Sequence, residues 1–509
     1  MPQSYINRLL EARVDDVARE TPVDEALLMS RRLDNQVWLK REDLQPVFSF
    51  KLRGAYNKMN RLSESDRARG VVAASAGNHA QGLAMAAQKM NVKAIIVMPR
   101  TTPQIKIDAV RNRGARVVLH GDAFDEAAAH AAKLVEEKGL IYVHPFDDPD
   151  VIAGQGTIGM EIVRQHQQPL DALFVPVGGG GLLAGVAAYV KYVWPETRII
   201  GVEPEDAACL KLALDRGRRA SLPEVGLFAD GCAVAQVGKE TFRVIRETVD
   251  EVITASTDEM CAAIKDIFED TRSIAEPAGA LALAGLKKYV ESRGVSGQQL
   301  LAIVSGANTN FDRLRYISER TEIGEHREAV ISVTIPEKPG SFKTFCSALG
   351  RRNITEFNYR YADAGSAQVF VGLSVVPGGD DLAELLTELE ARGYPTEDMT
   401  ENEVAKLHIR YMVGGHAPAM VDNERVYRVQ FPERPGALLK FLSGLGQRWN
   451  ISMFHYRNHG AAYGRILVGV QLERRERREF EQILEQLNYP YWEETDNLAY
   501  QLYLGQRPG

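Results

Sequence analysis

The sequence predicts a doubly wound α/β domain followed by a smaller α+β region, and two observations lead to this. From about Val37 to Val304, short continuous apolar runs alternate with helical patterns, which is typical of a parallel sheet buried on both faces. After about Gly324 this alternation stops and an internal repeat begins. We therefore expect a large first domain whose ligands lie beyond the carboxyl ends of its strands.

Short apolar runs define the strands of the first region. The predicted strands are Val37–Leu39, Val71–Ala74, Ala94–Met98, Arg116–Leu119, Leu173–Val177, Ile199–Val202, Glu251–Ile253 and Leu300–Val304. Ala-rich helical segments such as Asp122–Lys138 and Ile158–Gln165 lie between them. One long uncharged stretch, Ala172–Val190, contains Pro176 and four consecutive glycines, so it predicts a strand, a loop and a helix rather than a membrane span.

The second region consists of two copies of one pattern. Glu337-Lys338-Pro339-Gly340 matches Glu433-Arg434-Pro435-Gly436 at an offset of 436 − 340 = 96. Phe357-Asn358-Tyr359-Arg360 matches Phe454-His455-Tyr456-Arg457 at an offset of 454 − 357 = 97. Each copy predicts the ferredoxin-like βαββαβ unit, with Pro-Gly at its first turn. The predicted domains are residues 1–324, 328–400 and 423–494.

Charge and cysteine content limit the class of protein. The chain has 509 residues, a formal net charge of −7 and no basic tract, which argues against a nucleic-acid partner. Its four cysteines show no metal-ligand, redox or disulfide spacing, which suits a reducing cytosol. Residues 1–19 carry charges throughout and lack the apolar core of a signal peptide. We expect a cytoplasmic protein with no nucleic-acid or membrane partner and no bound metal.

The first chemical motif is Ser49-Phe50-Lys51-Leu52-Arg53-Gly54, which follows a strand that ends near Lys40-Arg41-Glu42-Asp43. A lysine amine in a partly desolvated pocket can form a Schiff base with an aldehyde cofactor. Most lysines are solvated surface groups, so the motif alone favours that simpler interpretation.

The second motif, Ser75-Ala76-Gly77-Asn78-His79, directly follows the strand Val71–Ala74. Ser75 is a good helix N-cap, and the turn aims free backbone N–H groups at an anion such as a substrate carboxylate. An ordinary capped turn explains the same residues equally well. For His79, a packed helix residue is the preferred interpretation over an acid or a base.

The third motif is Gly178-Gly179-Gly180-Gly181-Leu182, between a strand and an apolar helix. Four glycines lose much conformational entropy on ordering, which is easiest to explain if their backbone N–H groups surround an anion. No Gly-Lys-Ser/Thr end and no dinucleotide fingerprint accompanies them. The alternative is a plain flexible turn.

The fourth motif is Ser305-Gly306-Ala307-Asn308, after the strand Leu300–Val304. A serine at a strand end can meet a ring nitrogen as a neutral hydrogen-bond partner. Taken alone, a helix N-cap is the preferred interpretation of Ser305.

Together the four motifs resemble those of the tryptophan-synthase-like, fold type II group of pyridoxal-phosphate enzymes. Ser49–Gly54, Ser75–Gly82 and the tetraglycine run are similar to those of threonine and serine dehydratases. The C-terminal repeat resembles the paired ACT-like modules of biosynthetic threonine deaminases, so the resemblance covers nearly the whole chain. It implies conversion of L-threonine to 2-oxobutanoate and ammonia, the first committed step of isoleucine biosynthesis.

The resemblance also implies a role for each site residue. Lys51 holds pyridoxal phosphate as a Schiff base and then removes the α-proton of the substrate. The residues Gly178, Gly179, Gly180, Gly181 and Leu182 cradle the phosphate. Asn78 contacts the ring hydroxyl, and Ser75, Ala76, Gly77, Asn78 and His79 hold the substrate carboxylate. Ser305, in place of an aspartate, leaves the ring nitrogen neutral, which favours rapid β-elimination.

Several alternatives stay open at this point. Glu276 either faces the ring or acts as a helix-start carboxylate, and the helix-start interpretation is slightly favoured. Serine racemase, serine dehydratase and threonine synthase share the fold and the motifs. A non-catalytic amino-acid sensor is a further alternative, against which the intact Lys51 argues.

The repeat carries the expected regulatory sites. Phe357 and Phe454 are expected to fill the core, whereas Tyr359, Tyr456 and the nearby Tyr463 are the effector candidates, because a hydroxyl can mark a polar rim. The resemblance implies isoleucine as inhibitor, valine as its opponent, and a homotetramer.

Overall fold

The computed structural model describes residues 3–122, 124–311, 313–324, 328–336, 338–350, 352–360, 365–376, 380–402, 405, 421–432, 437–445, 448–457, 463–487 and 489–504. The chain divides into two compact units, Met1–Gly324 and Glu325–Gly509. Among the described residues, no helix is both long enough and apolar enough to span a bilayer.

Two sheets form the frame of the first unit. Its strands are β1 (Val23–Glu25), β2 (Gln36–Arg41), β3 (Val71–Ala74), β4 (Ala94–Met98), β5 (Arg116–Leu119), β6 (Ile141–Tyr142), β7 (Ala172–Pro176), β8 (Arg198–Pro204), β9 (Glu251–Ala255) and β10 (Gln299–Val304). The larger sheet has the order β1-β2-β10-β7-β8-β9 and the smaller one β5-β4-β3-β6. All neighbouring strands are parallel except β1, which pairs antiparallel with β2 at the sheet edge.

Helices cover both faces of these sheets. They are α1 (Gln3–Leu10), α2 (Leu27–Leu33), α3 (Lys51–Asn60), α4 (Glu64–Arg69), α5 (Asn78–Met90), α6 (Gln104–Arg111), α7 (Phe124–Lys138), α8 (Pro149–Gln165), α9 (Gly181–Val193), α10 (Cys209–Asp215), α11 (Lys239–Thr248), α12 (Thr257–Thr271), α13 (Pro277–Arg293) and α14 (Arg313–Gly324). Phe174 on β7 joins the cluster formed with α13, whereas its neighbour Val175 joins the cluster formed with α9. Because successive strand residues enter cores on opposite faces, the predicted doubly wound class is confirmed.

The structure differs from the predicted elements mainly where glycines occur inside a helix. Helix α8 begins at Pro149 rather than near Ile158, and its first half contains Gly154 and Gly156. A Cβ atom on Gly156 would lie 2.7 Å from the carbonyl oxygen of Gly185 on α9. These glycines therefore allow close helix packing, although they interrupt the apolar pattern in the sequence. The short strands β1 and β6 were not predicted.

The second unit contains one eight-stranded antiparallel sheet. Its strands are β11 (Glu328–Pro336), β12 (Ile354–Arg360), β13 (Ser366–Ser374), β14 (Thr396–Asp398), β15 (Glu424–Pro432), β16 (Ile451–Arg457), β17 (Tyr463–Gln471) and β18 (Tyr491–Glu493). Its helices are α15 (Ser341–Ala348), α16 (Asp381–Ala391), α17 (Ala437–Leu445), α18 (Arg477–Leu487) and α19 (Leu498–Tyr503). The strand order is β14-β11-β13-β12-β16-β17-β15-β18, so each copy of the repeat is a βαββαβ unit, as predicted.

The two copies join through the aromatic strands β12 and β16. Phe357 pairs with Tyr456 and Tyr359 pairs with Phe454, so each motif meets the other in a two-fold-like register. Phe357 and Phe454 are fully buried, in agreement with the expected core role. Tyr359 and Tyr456 are only 4% and 1% exposed, so their rings lie in the same core rather than at an open rim. The side chain of Tyr463 lies outside the described residues, as do Glu337, Glu433, Arg434, Pro435 and Gly436.

Candidate active site

One large cavity lies at the carboxyl ends of the strands in the first unit. Its volume is about 1070 Å³, and it is lined by residues from all four sequence motifs. The lining includes every predicted catalytic, cofactor and substrate residue: Lys51, Ser75, Ala76, Gly77, Asn78, His79, Gly178, Gly179, Gly180, Gly181, Leu182 and Ser305. Strands β3, β7 and β10 end at this cavity, which is the position expected for ligands in such sheets.

Lys51 is the first residue of α3, and its amine lies in an environment that disfavours charge. Its Nζ atom donates a hydrogen bond to the carbonyl oxygen of Pro145 at 3.2 Å. Desolvation lowers the pKa of Lys51 to about 8, against the weaker opposing fields of Cys232 and Glu276. A substantial fraction of this amine is therefore neutral near physiological pH, which nucleophilic or base chemistry requires.

The start of α3 is tied to the end of β10. The backbone N–H of Phe50 donates to the carbonyl oxygen of Ser305 at 3.2 Å, and Ser49 forms a β-bridge with Gly306. The Lys51 and Ser305 motifs are thus neighbours, although they lie far apart in the sequence.

A buried ion network behind Lys51 was missed by the sequence analysis. Arg53 is fully buried and donates to Glu42 at 2.8 Å and to Glu161 at 2.5 Å. Lys40 is also buried and donates to Glu161 at 2.6 Å. The clustered charges of Lys40-Arg41-Glu42-Asp43 directly after an apolar strand were the available signal. The network fixes the first turn of α3 against β2 and α8.

The glycine loop connects β7 to α9. Gly180 has a φ angle of 89°, which favours glycine, and α9 begins at the next residue. A Cβ atom on Gly179 would lie 2.2 Å from the ring of Phe146, so the packing also requires glycine there. The first N–H groups of a helix have no partner within the helix, and α9 starts at the cavity wall. The loop therefore offers an anion site, and the alternative of a plain flexible turn is less consistent with this packing.

The turn Ser75–His79 differs from its predicted capping. Gly77, not Ser75, is the N-cap of α5, and no side chain caps this helix. The N-cap lies two residues later than a cap at Ser75 would place it. The Ser75 hydroxyl instead accepts a hydrogen bond from the backbone N–H of Gly77 at 3.3 Å, within the turn before the helix. A Cβ atom on Gly77 would meet nothing within 4 Å, so this residue borders open cavity space.

His79 is a buried helix residue, as the sequence analysis preferred. Its Nε2 atom lies 2.9 Å from the carbonyl oxygen of Val143. Desolvation, with a smaller contribution from Lys51, lowers the pKa of His79 to about 3. The ring is therefore neutral at physiological pH.

Ser305 ends β10 and is 4% exposed. Its hydroxyl donates to the carbonyl oxygen of Ala278 at 3.2 Å. The N-cap interpretation is wrong, because no helix follows directly and α14 begins only at Arg313. The hydroxyl is instead a neutral polar group in the cavity wall.

Glu276 lines the cavity and occupies the N-cap position of α13. It precedes α13, but its side chain makes no capping hydrogen bond. Its Oε1 atom accepts a hydrogen bond from Nδ2 of Asn78 at 2.5 Å. Burial, reinforced by Asp230, raises the pKa of Glu276 to about 7. Glu276 therefore stands at a helix start, as was slightly favoured, and also lines the cavity, so the two interpretations are not exclusive.

These residues fit pyridoxal phosphate. An aldehyde requires a partly neutral amine, which Lys51 supplies, and a phosphate requires an anion site, which the start of α9 supplies in the same cavity. Ser305 and Asn78 add neutral polar groups to the wall of the same cavity. The fold and this cavity define a fold type II pyridoxal-phosphate enzyme.

Comparison with known proteins agrees with this class. The family described as pyridoxal-phosphate dependent enzyme matches residues 14–306, and the C-terminal regulatory domain of threonine dehydratase matches residues 319–409 and 415–504. The biosynthetic L-threonine dehydratase of Burkholderia multivorans is 58% identical over 98% of this chain and 99% of its own length. The corresponding protein of Escherichia coli is 53% identical over 98% of this chain and 97% of its own length.

Solved structures show the same relationship over about three fifths of the chain. Threonine deaminase isoform 2 from Solanum lycopersicum, in its processed form, is 51% identical with a TM-score of 0.61, covering 62% of this chain and 92% of that one. Serine racemase from Dictyostelium discoideum is 32% identical with a TM-score of 0.56, covering 60% and 99%. The chain belongs to the biosynthetic threonine dehydratases, which are pyridoxal-phosphate-dependent carbon–nitrogen lyases.

Proposed function

We propose that the enzyme converts L-threonine to 2-oxobutanoate and ammonia, the first committed step of isoleucine biosynthesis, with Lys51 as cofactor carrier and base. The desolvated Lys51 amine beside the glycine loop is the observation that carries this proposal. When bound, pyridoxal phosphate acts as a sink for the electrons of the broken Cα–H bond. The neutral Lys51 amine takes the α-proton, and hydroxide then leaves from Cβ. The released enamine tautomerises and hydrolyses to the products.

The other site residues bind and orient. Backbone N–H groups of Ser75–His79 hold the substrate carboxylate, and Gly178–Leu182 hold the cofactor phosphate. Asn78 contacts the ring hydroxyl. Ser305 meets the ring nitrogen as a neutral hydroxyl and leaves it unprotonated, so that elimination is favoured over transamination. Ser305 is buried and, among the described residues, no acidic side chain is hydrogen-bonded to it, which supports this role.

The direct test measures 2-oxo acid formation by the purified protein with L-threonine and with L-serine, together with the chirality of unreacted serine. A higher kcat/KM for threonine is expected. A higher kcat/KM for serine, or racemised serine without 2-oxo acid, would contradict the proposal and favour a serine dehydratase or a serine racemase.

We also propose that residues 328–400 and 423–494 form two regulatory modules that bind isoleucine as inhibitor and valine as its opponent, within a cytoplasmic homotetramer. The matched regulatory domain of threonine dehydratases supports this. Between the two copies lies a cavity of about 20 Å³, lined by Gly340 and Tyr359 of the first copy and Trp449 of the second, which has room for about one water molecule and would have to open to admit an amino acid. Within the described residues, the buried Nε1 atom of Trp449 has no hydrogen-bond partner. The four buried free cysteines suit a reducing compartment.

Of the effector candidates, the cavity favours Tyr359. This tyrosine lines the cavity beside the first Pro-Gly turn. Among the described side chains, that of Tyr456 does not line the cavity, and the side chain of Tyr463 lies outside the described residues.

A further inference from the structure

The side-chain amide of Asn78 is held at both ends by hydrogen bonds. Its Oδ1 atom accepts from Nδ2 of Asn308 at 2.7 Å. Its Nδ2 atom donates to Oε1 of Glu276 at 2.5 Å. The three side chains therefore form a directed chain of hydrogen bonds from Asn308 through Asn78 to Glu276.

The outer two members of this chain are themselves fixed. Nδ2 of Asn308 also donates to the carbonyl oxygen of Val47 at 2.8 Å, which assigns this atom as nitrogen. The backbone amide of Asn308 also lowers the pKa of Glu276, against the larger effect of burial. Glu276 is 4% exposed, and a Cβ atom on Gly306 would lie 2.4 Å from its Oε1 atom. Neither side chain can turn away without breaking several contacts.

This arrangement determines which way the Asn78 amide faces. Because Asn308 presents a donor to one end, that end must be the Asn78 oxygen; because Glu276 presents an acceptor oxygen to the other, that end must be the Asn78 nitrogen. One of the two N–H bonds of Nδ2 is used by Glu276, and the second remains for a ligand in the cavity. An amide without these partners would be free to rotate and to present its oxygen instead.

We propose that Glu276 and Asn308 are positioning residues that hold the Asn78 amide with its nitrogen toward the ring oxygen of pyridoxal phosphate. The role rests on the contact between Asn78 and that oxygen under the proposed function. It needs only an acceptor oxygen at position 276, which both the ionised and the protonated carboxyl provide. The raised pKa of Glu276 therefore leaves the role intact across neutral pH.

The test compares the binding of two cofactors to the cofactor-free full-length protein. The dissociation constant is measured by absorbance or fluorescence titration for pyridoxal 5'-phosphate and for 3-deoxypyridoxal 5'-phosphate, which lacks the ring oxygen. Glu276→Ala is expected to weaken binding of pyridoxal phosphate about tenfold, the loss typical of one well-placed hydrogen bond, and to change binding of the deoxy analogue by less than about twofold. Glu276→Gln is expected to restore most of the loss, since its amide oxygen accepts the same bond.

Two further variants, Asp266→Ala and Asn78→Ala, show whether the positioning role of Glu276 or the contact assigned to Asn78 is wrong. Asp266→Ala removes another buried carboxylate that is paired with Lys287 away from the cavity, and it should leave the ratio of the two dissociation constants unchanged. If Glu276→Ala weakens both cofactors equally, or if Glu276→Gln behaves like Glu276→Ala, the positioning role is wrong. If Asn78→Ala loses the preference for the ring oxygen while Glu276→Ala keeps it, only the positioning role is overturned. If Asn78→Ala keeps the preference, the contact assigned to Asn78 is wrong and the positioning role is overturned with it.

Discussion

The Nζ atom of Lys51 lies 3.2 Å from the carbonyl oxygen of Pro145, in the loop that leads into α8. The next residue, Phe146, packs its ring where a Cβ atom on Gly179 would be. One short loop therefore contacts both the amine and the glycine loop, and it sets the position of each relative to the other. Substitutions of Lys51 and of the glycines should therefore differ in their effects on the cofactor and on turnover.

Replacing Lys51 by alanine should abolish both elimination and the visible absorbance of the bound cofactor, because the amine that forms the covalent link is lost. Absorbance spectra of the purified variant with added pyridoxal phosphate, and a threonine assay, check this. Circular dichroism controls for folding. A variant that keeps the visible band and the turnover would show that another amine carries the cofactor.

The lowered pKa of Lys51 gives capture of the cofactor a defined pH dependence. Burial lowers the pKa of Lys51 from its usual value of 10.5 to about 8. Only the neutral amine attacks an aldehyde, so the rate constant for capture of pyridoxal phosphate by the cofactor-free protein should rise with pH and level off above about 8. Stopped-flow absorbance between pH 6 and 9.5 measures this. A rise that continues to pH 9.5 without levelling would contradict the assigned desolvation.

The lowered pKa of Lys51 also makes stability depend on pH. The dependence has the opposite sign to that of a lysine in a salt bridge, whose pKa is raised. Between pH 8 and 10.5 the unfolded chain binds more protons at Lys51 than the folded chain does. The free energy of unfolding of the cofactor-free protein should therefore rise with pH over this window, and the cost of burying the charged amine is fully present below pH 8. Lys51→Met should remove this contribution, which urea unfolding of both proteins at pH 7.5 and 9.5 would detect.

The sequence predicted local features well and long-range contacts poorly. The buried strands and the glycine loop were recognisable because a continuous apolar run and four adjacent glycines are local signals. The hydrogen bond between Asn78 and Glu276 joins residues 198 positions apart, and no pattern in either segment indicates it. Ser305 showed the same limit, because a serine after a strand looks like an N-cap until the missing helix is seen.

Two glycines of the cavity should respond differently to alanine. At Gly179 the added Cβ would lie 2.2 Å from Phe146, so the loop must shift, and pyridoxal phosphate should bind at least about tenfold more weakly. At Gly77 the added Cβ meets nothing within 4 Å, so cofactor binding should be unchanged. Because this methyl enters the space proposed for the substrate carboxylate, Gly77→Ala should raise the KM for threonine. Equal cofactor affinity in both variants would contradict the assignment of the phosphate to the glycine loop.

Ser305→Asp should convert a neutral contact into a charged one. Ser305 is 4% exposed, and a carboxylate buried there requires a cationic partner, which a protonated ring nitrogen would supply. We expect lower kcat for elimination and a cofactor spectrum shifted toward the protonated ring. Ser305→Ala, which adds no charge, is the matched control and should keep the wild-type spectrum. Identical spectra for the aspartate variant and the wild type would show that Ser305 does not contact the nitrogen.

Isoleucine should inhibit the full chain through the second unit. It must bind the less active state more tightly, with a coupling free energy of about 1–3 kcal/mol, so threonine saturation curves should shift by roughly five- to 150-fold in half-saturation. A chain ending at Gly324 should stay active and ignore isoleucine. Trp449→Phe removes the buried, unpartnered N–H of a residue that lines the small cavity and should weaken inhibition, whereas Trp492→Phe alters an indole that is 43% exposed in the same unit and should not. Saturation curves with and without isoleucine, and with added valine, distinguish these outcomes. If the full chain ignores isoleucine, or the shortened chain still responds, the second unit is not the sensor. If the two tryptophan variants respond alike, the effector binds elsewhere in that unit.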